Sequence, residues 1–158
     1  MVFRIRVVLD FKEDVIRDLE IDQNANFEDL HFTILEYFGL DSMELASFFI
    51  SDENWKQGEE IFLQSYDENQ KLMKDTILKS MSIKAKRYLY VYDYLKLWTF
   101  FIEIVEEKKK IQSVIYPKKI FEHGLIPNKA PNKNFNSTEK FDDSVYNGDD
   151  ESDFLEFY

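Results

Sequence analysis

The chain has 158 residues, no cysteine and a formal net charge of −11 at pH 7. This length fits one domain, the lack of cysteine excludes disulfides and cysteine-based metal or catalytic sites, and the charge opposes binding to nucleic acids and anionic membranes. Arg4, Arg6 and Asp10 interrupt the first apolar stretch, so we expect no secretion signal there. No apolar run reaches the roughly 18 residues of a membrane span, and we expect a cytoplasmic protein without a metal or other cofactor.

The first part of the chain predicts a β-hairpin followed by a helix. Apolar and polar residues alternate over residues 2–11 and again over 15–22, which is typical of two half-buried strands. Asn26 can cap a helix over Phe27–Phe38, where apolar side chains recur at helical spacing. Gly39 can end this helix in a left-handed conformation.

The rest of the chain predicts five further strands and one short helix. The strands are expected over residues 45–50, 60–63, 87–94, 97–105 and 111–116. After a polar loop over residues 64–75, Asp75 is expected to cap a short helix over residues 76–81. Glu106–Lys110 is expected to form a charged turn, and Pro117 to end the last strand.

Together these elements predict an α+β domain over residues 1–127. A hairpin and a helix laid across a mixed sheet favour a β-grasp-like arrangement with one main helix, a short second helix and an extra C-terminal hairpin. Residues 128–158 contain 8 acidic and 3 basic residues without sustained periodicity. This composition predicts a disordered acidic tail.

The tail ends in the sequence DDESDFLEFY. Its apolar residues, Phe154, Leu155, Phe157 and Tyr158, are spaced among acids. Acidic stretches with spaced aromatic residues are typical of short motifs that fold onto a protein partner. A tail that only increases solubility is the alternative.

Residues 87–101 read RYLYVYDYLKLWTFF and place four tyrosines on one face of a predicted strand. These are Tyr88, Tyr90, Tyr92 and Tyr94. They could form an exposed stacking platform or line a core. If the helix covers Leu89 and Val91, the tyrosines lie on the opposite face, where we expect residues 106–127 to cover part of them.

Three segments, VFRIRVVLDF…VIRDLEI, FEDLHFTILEYFG and RYLYVYDYLKLWTFFIEI, resemble the opening strands, the helix and the signature strand pair of one family. It is the open-reading-frame-three-like family of a root-inducing plasmid, whose relatives include passenger proteins of an insertion element. The resemblance spans residues 2–127. It implies an α+β fold and a loose link to mobile elements, and it implies no established reaction.

The signature of that family typically runs Tyr-x-Tyr-Asp-Phe-Gly-Asp-x-Trp-x-His. Asp93 and Trp98 match it. Leu95, Lys96 and Phe100 stand in place of its Gly, Asp and His. The resemblance therefore implies that any polar site built on this signature is degenerate in the present chain.

Three side chains are candidates for a ligand-binding or catalytic pocket: His31, Asp93 and Trp98. His31, at the border of the apolar helix face, could transfer a proton or pack on the sheet and bond a backbone group. Asp93 could be a general base or cap the bend over residues 94–97 through backbone N–H groups. A working pocket requires the three to converge in a cleft.

The leading functional hypothesis is a small non-enzymatic interaction module that binds a protein partner. It rests on the lack of a recognisable catalytic motif and on the aromatic acidic tail. The alternative is an enzyme or ligand-binding protein with a pocket near His31, Asp93 and Trp98. Nucleic-acid handling is a weaker third hypothesis, because aromatic stacking on single strands normally requires a basic groove.

Overall fold

The computed structural model describes residues 1–131 and places α1 across one face of an eight-stranded sheet. The helices and strands are β1 Val2–Leu9, β2 Ile16–Asp22, α1 Phe27–Phe38, β3 Ala46–Ile50, β4 Glu60–Phe62, β5 Lys71–Leu72, α2 Leu78–Ser82, β6 Arg87–Tyr92, β7 Trp98–Lys108 and β8 Lys118–His123. The strand order is β5-β4-β3-β6-β7-β1-β2-β8, with only β4 and β5 parallel. The predicted α+β class, with a mixed sheet, one main helix and a short second helix, is confirmed.

Helix α1 begins and ends where its local sequence predicts. The Asn26 side chain accepts the backbone N–H of Asp29 at 2.8 Å, and the Asp29 carboxylate accepts the Asn26 N–H at 3.0 Å. This reciprocal capping box satisfies two N–H groups that the helix itself leaves free. Gly39 adopts a φ of +67° and donates its N–H to the Glu36 carbonyl, which confirms the predicted left-handed helix end.

Replacing Gly39 with alanine is expected to lower the free energy of unfolding by about 1 kcal/mol. No heavy atom lies within 4 Å of the position that a Cβ would occupy, so the cost comes from backbone strain alone. Urea denaturation measures it. Gly39→Asn is the matched control and should lose less, because asparagine tolerates the left-handed conformation. An alanine variant as stable as the wild type would contradict this account of the helix end.

The central strand β1 shows the predicted alternation. Phe3, Ile5, Val7 and Leu9 are at most 2% exposed and belong to the core that packs against α1. Arg4 and Arg6 point to the other side of the sheet, which we call the outer face. Because β1 pairs with β2 on one side and β7 on the other, the first strand of the chain joins β2 and β8 to the other five strands of the sheet.

A buried carboxylate organises the outer face of β1 and β2. Asp18, whose side chain is fully buried, accepts hydrogen bonds from Arg4 at 2.7 Å and from Arg6 at 2.8 and 2.9 Å. Burial alone would raise the pKa of Asp18, but the hydrogen bonds from Arg6 and Arg4 outweigh it and hold this pKa below its usual value. The carboxylate is therefore a structural group shared by two arginines.

The loop between β3 and β4 covers another part of the outer face. The Trp55 ring meets the edge of Phe101 at 5.0 Å between centroids, and the Arg87 guanidinium lies 4.9 Å from the Trp55 ring centre. The Asp52 carboxylate accepts backbone N–H groups of Asn54 and Lys56 and so shapes the loop. Trp55 thus packs on the side of the sheet opposite α1.

The tyrosines of β6 face α1, not the outer face. Tyr88, Tyr90 and Tyr92 are 1%, 0% and 4% exposed, and the Tyr88 ring packs edge-on against Phe27 at 5.3 Å. The interpretation as core lining is confirmed for these three. The expectation that residues 106–127 cover them is wrong, because α1 does so.

The last two strands differ from their prediction. β7 continues to Lys108, so residues 106–108 are strand and not turn, because they pair with Val2–Arg4 at the start of β1. Residues 111–116 form no strand; β8 begins directly after Pro117 and pairs with β2. Proline is tolerated where an edge strand begins, so Pro117 marks the start of β8 and not the end of a strand.

Two small elements also depart from the prediction. The predicted loop over residues 64–75 contains β5 and a 3₁₀ turn, Met73–Asp75. α2 begins at Leu78, and its N-cap is Ile77 and not Asp75, because an isolated antiparallel bridge with Asn26 keeps Ile77 extended. Among residues 1–131, no helix is long and apolar enough to cross a membrane.

Candidate functional site

His31 lies in the core between α1 and the sheet. Its residue is 1% exposed, and its Nδ1 lies 2.7 Å from the Tyr90 hydroxyl. Its Nε2 is buried without a hydrogen-bond partner among the described residues. Burial lowers the pKa of His31 from 6.5 to about 4. The ring is thus a neutral core group bonded to a hydroxyl, and not the border side chain with a backbone bond that the sequence suggested.

Aromatic side chains enclose the partner of His31. Tyr90 is fully buried, with ring centroids of Phe48 and Phe100 at 4.8 and 5.8 Å, and burial raises its pKa well above the usual value. Phe100 is itself fully buried and packs edge-on against Phe38 at 4.8 Å. The position where the signature has a histidine is therefore part of an apolar aromatic cluster.

Asp93 holds the tight turn that joins β6 to β7. Its carboxylate accepts the backbone N–H groups of Leu95 at 3.1 Å and Lys96 at 3.2 Å, and its carbonyl accepts that of Leu97 at 2.6 Å. Its own N–H donates to Leu45 at 2.8 Å. This is the turn-capping arrangement that was one of the two interpretations of this aspartate.

Replacing Asp93 with alanine is expected to lower the free energy of unfolding by about 1–2 kcal/mol. The variant loses the acceptor for two backbone N–H groups and places alanine at a φ of +66°. Thermal unfolding monitored by circular dichroism measures the loss. Asp93→Asn keeps an acceptor oxygen and a residue suited to this φ, so it should remain close to the wild type. Equal losses in both variants would show that the cap is not the cause.

Trp98 starts β7 opposite Tyr92 and is 8% exposed. The hydrogen bond described for His31 joins it to Tyr90, and those described for Asp93 join it to its own turn and to Leu45. None of these bonds joins His31, Asp93 and Trp98 to one another. The three predicted pocket residues therefore serve the core, a turn and a strand start.

A hydrogen-bond relay beside this turn involves residues that the sequence did not single out. The Ser47 hydroxyl, fully buried, donates to the Glu60 carboxylate at 2.6 Å and lies 2.6 Å from the Tyr94 hydroxyl. Because a hydroxyl has one proton to donate, Tyr94 donates to Ser47. Burial raises the pKa of Tyr94. The relay fastens the turn after β6 to β3 and β4, and Ser47 within the apolar run LASFFI was its only sequence signal.

Two loops meet at this end of the sheet and form a surface that we call the tip, residues 41–45 and 93–97. Besides the bond from Asp93 to Leu45, the Tyr92 hydroxyl donates to the Asp41 carbonyl at 2.5 Å. Met43 and Leu95 are 83% and 95% exposed. The tip thus holds apolar side chains in solvent on a backbone tied to the sheet.

A surface groove of about 510 Å³ lies at a different place, between the β1–β2 turn and the end of β8. Its lining is Lys12, Glu13, Asp14, Val15, His123, Gly124 and Leu125. It contains the second histidine of the chain and none of the predicted pocket residues. Within residues 1–131, no group of three or more His, Asp or Glu side chains is placed to hold a metal ion.

The predicted partner-binding residues of the tail lie outside the described residues. They are Phe154, Leu155, Phe157 and Tyr158.

Comparison with known proteins identifies relatives by sequence and by fold. The model of a family described as plasmid pRiA4b ORF-3-like protein matches residues 1–145, beyond the predicted domain end at residue 127. The crystal structure of a protein of unknown function, MM3350 from Methanosarcina mazei Go1, has a TM-score of 0.69 and 19% sequence identity, covering 80% of this chain and 72% of that one. At this identity the likeness concerns the fold. No functionally curated protein matches the chain.

Proposed function

The chain belongs to the plasmid pRiA4b ORF-3-like protein family, and from this membership and the geometry above we propose that it is a small non-enzymatic interaction module. The observation that carries the proposal is that the titratable side chains of the candidate pocket serve the fold: His31 is enclosed in the core with its Nδ1 beside the Tyr90 hydroxyl, and Asp93 caps its turn. A general acid or base must come within hydrogen-bond reach of a substrate. His31 is buried in the core and the Asp93 carboxylate is bonded to its own turn, so neither is placed for this role.

The surface supplies the contacts for such a module. Five large apolar side chains of the described residues are more than four-fifths exposed: Met43, Ile83, Leu95, Ile115 and Leu125. The proposed partner is a protein, because the net charge of −11 disfavours contact with phosphate backbones. The tail residues Phe154, Leu155, Phe157 and Tyr158 offer a second docking element of the type that folds onto a groove.

A pull-down of the partner protein with two full-length chains and one truncated chain tests this proposal. The chains are the tagged wild type, His31→Asn, and a chain without residues 139–158. We expect His31→Asn to recover the same protein as the wild type, and the Kd of the purified pair to be unchanged, because His31 is enclosed in the core. Loss of recovery on truncation assigns the contact to the tail, and unchanged recovery assigns it to the folded surface.

The alternative is a pocket near His31, Asp93 and Trp98. It predicts a small molecule that the wild type binds saturably or converts, and that folded His31→Asn or Asp93→Asn chains do not. Such a result, obtained by calorimetric titration with circular dichroism as the folding control, would overturn the proposed function.

A further inference from the structure

The tip places apolar anchors in solvent at one end of the sheet. Leu95 is 95% exposed and Met43 83%, while Tyr94, next to Leu95, is 40% exposed. Resting on the proposed function, we infer that the tip, residues 41–45 and 93–97, docks a protein partner that presents an apolar pocket with a basic rim.

Hydrogen bonds anchor an uncommon backbone conformation beneath Leu95. Asp93 and Leu97 both adopt positive φ, 66° and 55°, which is uncommon for residues other than glycine. Strained residues persist only where surrounding contacts hold them. Here the Asp93 cap, its bond to Leu45 and the Tyr94 relay do so. An anchor presented on such a turn loses little conformational freedom on binding, which favours affinity.

The charges of the tip decide between kinds of partner. Its charged residues are three acids, Asp41, Glu44 and Asp93, and one base, Lys96, which gives a formal charge of −2 at pH 7. A second copy of the chain would bring two acidic tips together, and juxtaposed like charges oppose association. A basic rim around an apolar pocket complements both the charge and the anchors, since interface hot spots are apolar groups seated in pockets within a polar rim.

Photocrosslinking in the native host, followed by titration of the purified partner, tests the inference. p-Benzoylphenylalanine replaces Leu95 in one full chain and Ile83 in a matched chain. Ile83 is equally suited to labelling, at 83% exposure, and precedes the start of β6, the end opposite the tip. We expect a protein crosslinked at position 95 and not at position 83.

The Kd of the captured protein then distinguishes the surfaces. We expect it to rise at least about tenfold for Leu95→Ser combined with Met43→Ser, to stay unchanged for Ile83→Ser, and to rise with salt concentration. All three side chains are exposed, so thermal unfolding should show that the serine variants fold like the wild type.

Each contrary outcome has a separate meaning. A captured protein whose Kd is unchanged by the paired tip substitutions overturns the tip as the docking surface, while the interaction module stands. Crosslinks between two copies of the chain, with a dimer in sedimentation, overturn the basic partner in favour of self-association. If neither the crosslinking chains nor the tagged wild type recover a specific protein, the proposed function itself is contradicted.

Discussion

Lowering the pH from about 7.5 to about 5 is expected to reduce the free energy of unfolding by about 2 kcal/mol through His31 alone. Burial lowers the pKa of His31 from 6.5 to about 4 in the folded chain, whereas the unfolded chain keeps the ordinary value. Between these two values the unfolded state binds a proton that the folded state does not. Stability is therefore highest above the unfolded pKa and is lost as the pH falls towards the folded pKa.

The geometry explains why the folded state resists this proton. Protonated histidine has two N–H donors, and the buried Nε2 of His31 has no acceptor among the described residues. A charged ring would therefore combine desolvation with an unpaired donor. The carboxyl groups whose pKa the fold lowers, including Asp18 and Asp22, titrate below this pH interval and contribute little to the change.

Urea denaturation at the two pH values measures the effect in matched variants. His31→Asn keeps a polar atom near the position of Nδ1 but does not titrate. The loss of stability between the two pH values should therefore be about 2 kcal/mol smaller in this variant than in the wild type. His123→Gln removes an exposed histidine and should retain the full dependence of the wild type. Equal pH dependence in the wild type and His31→Asn would show that His31 is not the group responsible.

Replacing Asp18 with alanine is expected to lower the free energy of unfolding by about 3 kcal/mol at neutral pH. The change leaves the Arg4 and Arg6 guanidinium groups side by side without the carboxylate that both contact. The two arginine side chains are 34% and 44% exposed, so water recovers part of the loss. For this reason we expect a value at the low end of the range for a broken buried ion pair.

Asp22 on the same strand provides the matched control. It pairs with Lys110 at 2.8 Å, but the two side chains are 30% and 50% exposed, so Asp22→Ala should cost less than about 1 kcal/mol. Adding Arg6→Met to Asp18→Ala should recover part of the lost stability, because one of the two uncompensated charges is gone. A loss in Asp18→Ala no larger than in Asp22→Ala would refute the structural role of the buried carboxylate.

The sequence was sufficient where a segment has one apolar face and local end signals. β1 alternates strictly, and α1 has both a capping residue and a terminal glycine, Asn26 and Gly39, so these elements were predicted close to their observed bounds. The buried face of β6 was harder to predict, because the tyrosines on one face and Leu89 and Val91 on the other are both compatible with burial. Alternation separates the two faces of a strand, but only tertiary packing decides which face the helix covers.

The candidate site depends partly on contacts between residues far apart in the sequence, and the sequence alone does not identify such partners. The partner of His31 is Tyr90, 59 residues away, whereas the N–H groups that the Asp93 carboxylate accepts belong to Leu95 and Lys96, so only the role of Asp93 was among the interpretations of the sequence. The charged residues after Val105 resemble a turn locally, yet pairing with β1 keeps them in strand. In that segment, long-range strand pairing overrides the local composition.

The two tryptophans of the chain lie on opposite sides of the sheet, Trp98 in the core beneath α1 and Trp55 on the outer face against Phe101 and Arg87. The protein therefore contains a natural fluorophore for each side. The emission of a Trp55→Phe chain reports on the helix-covered side alone, and that of a Trp98→Phe chain on the outer side alone. A conformational change or binding event can thus be assigned to one side of the sheet without an added dye.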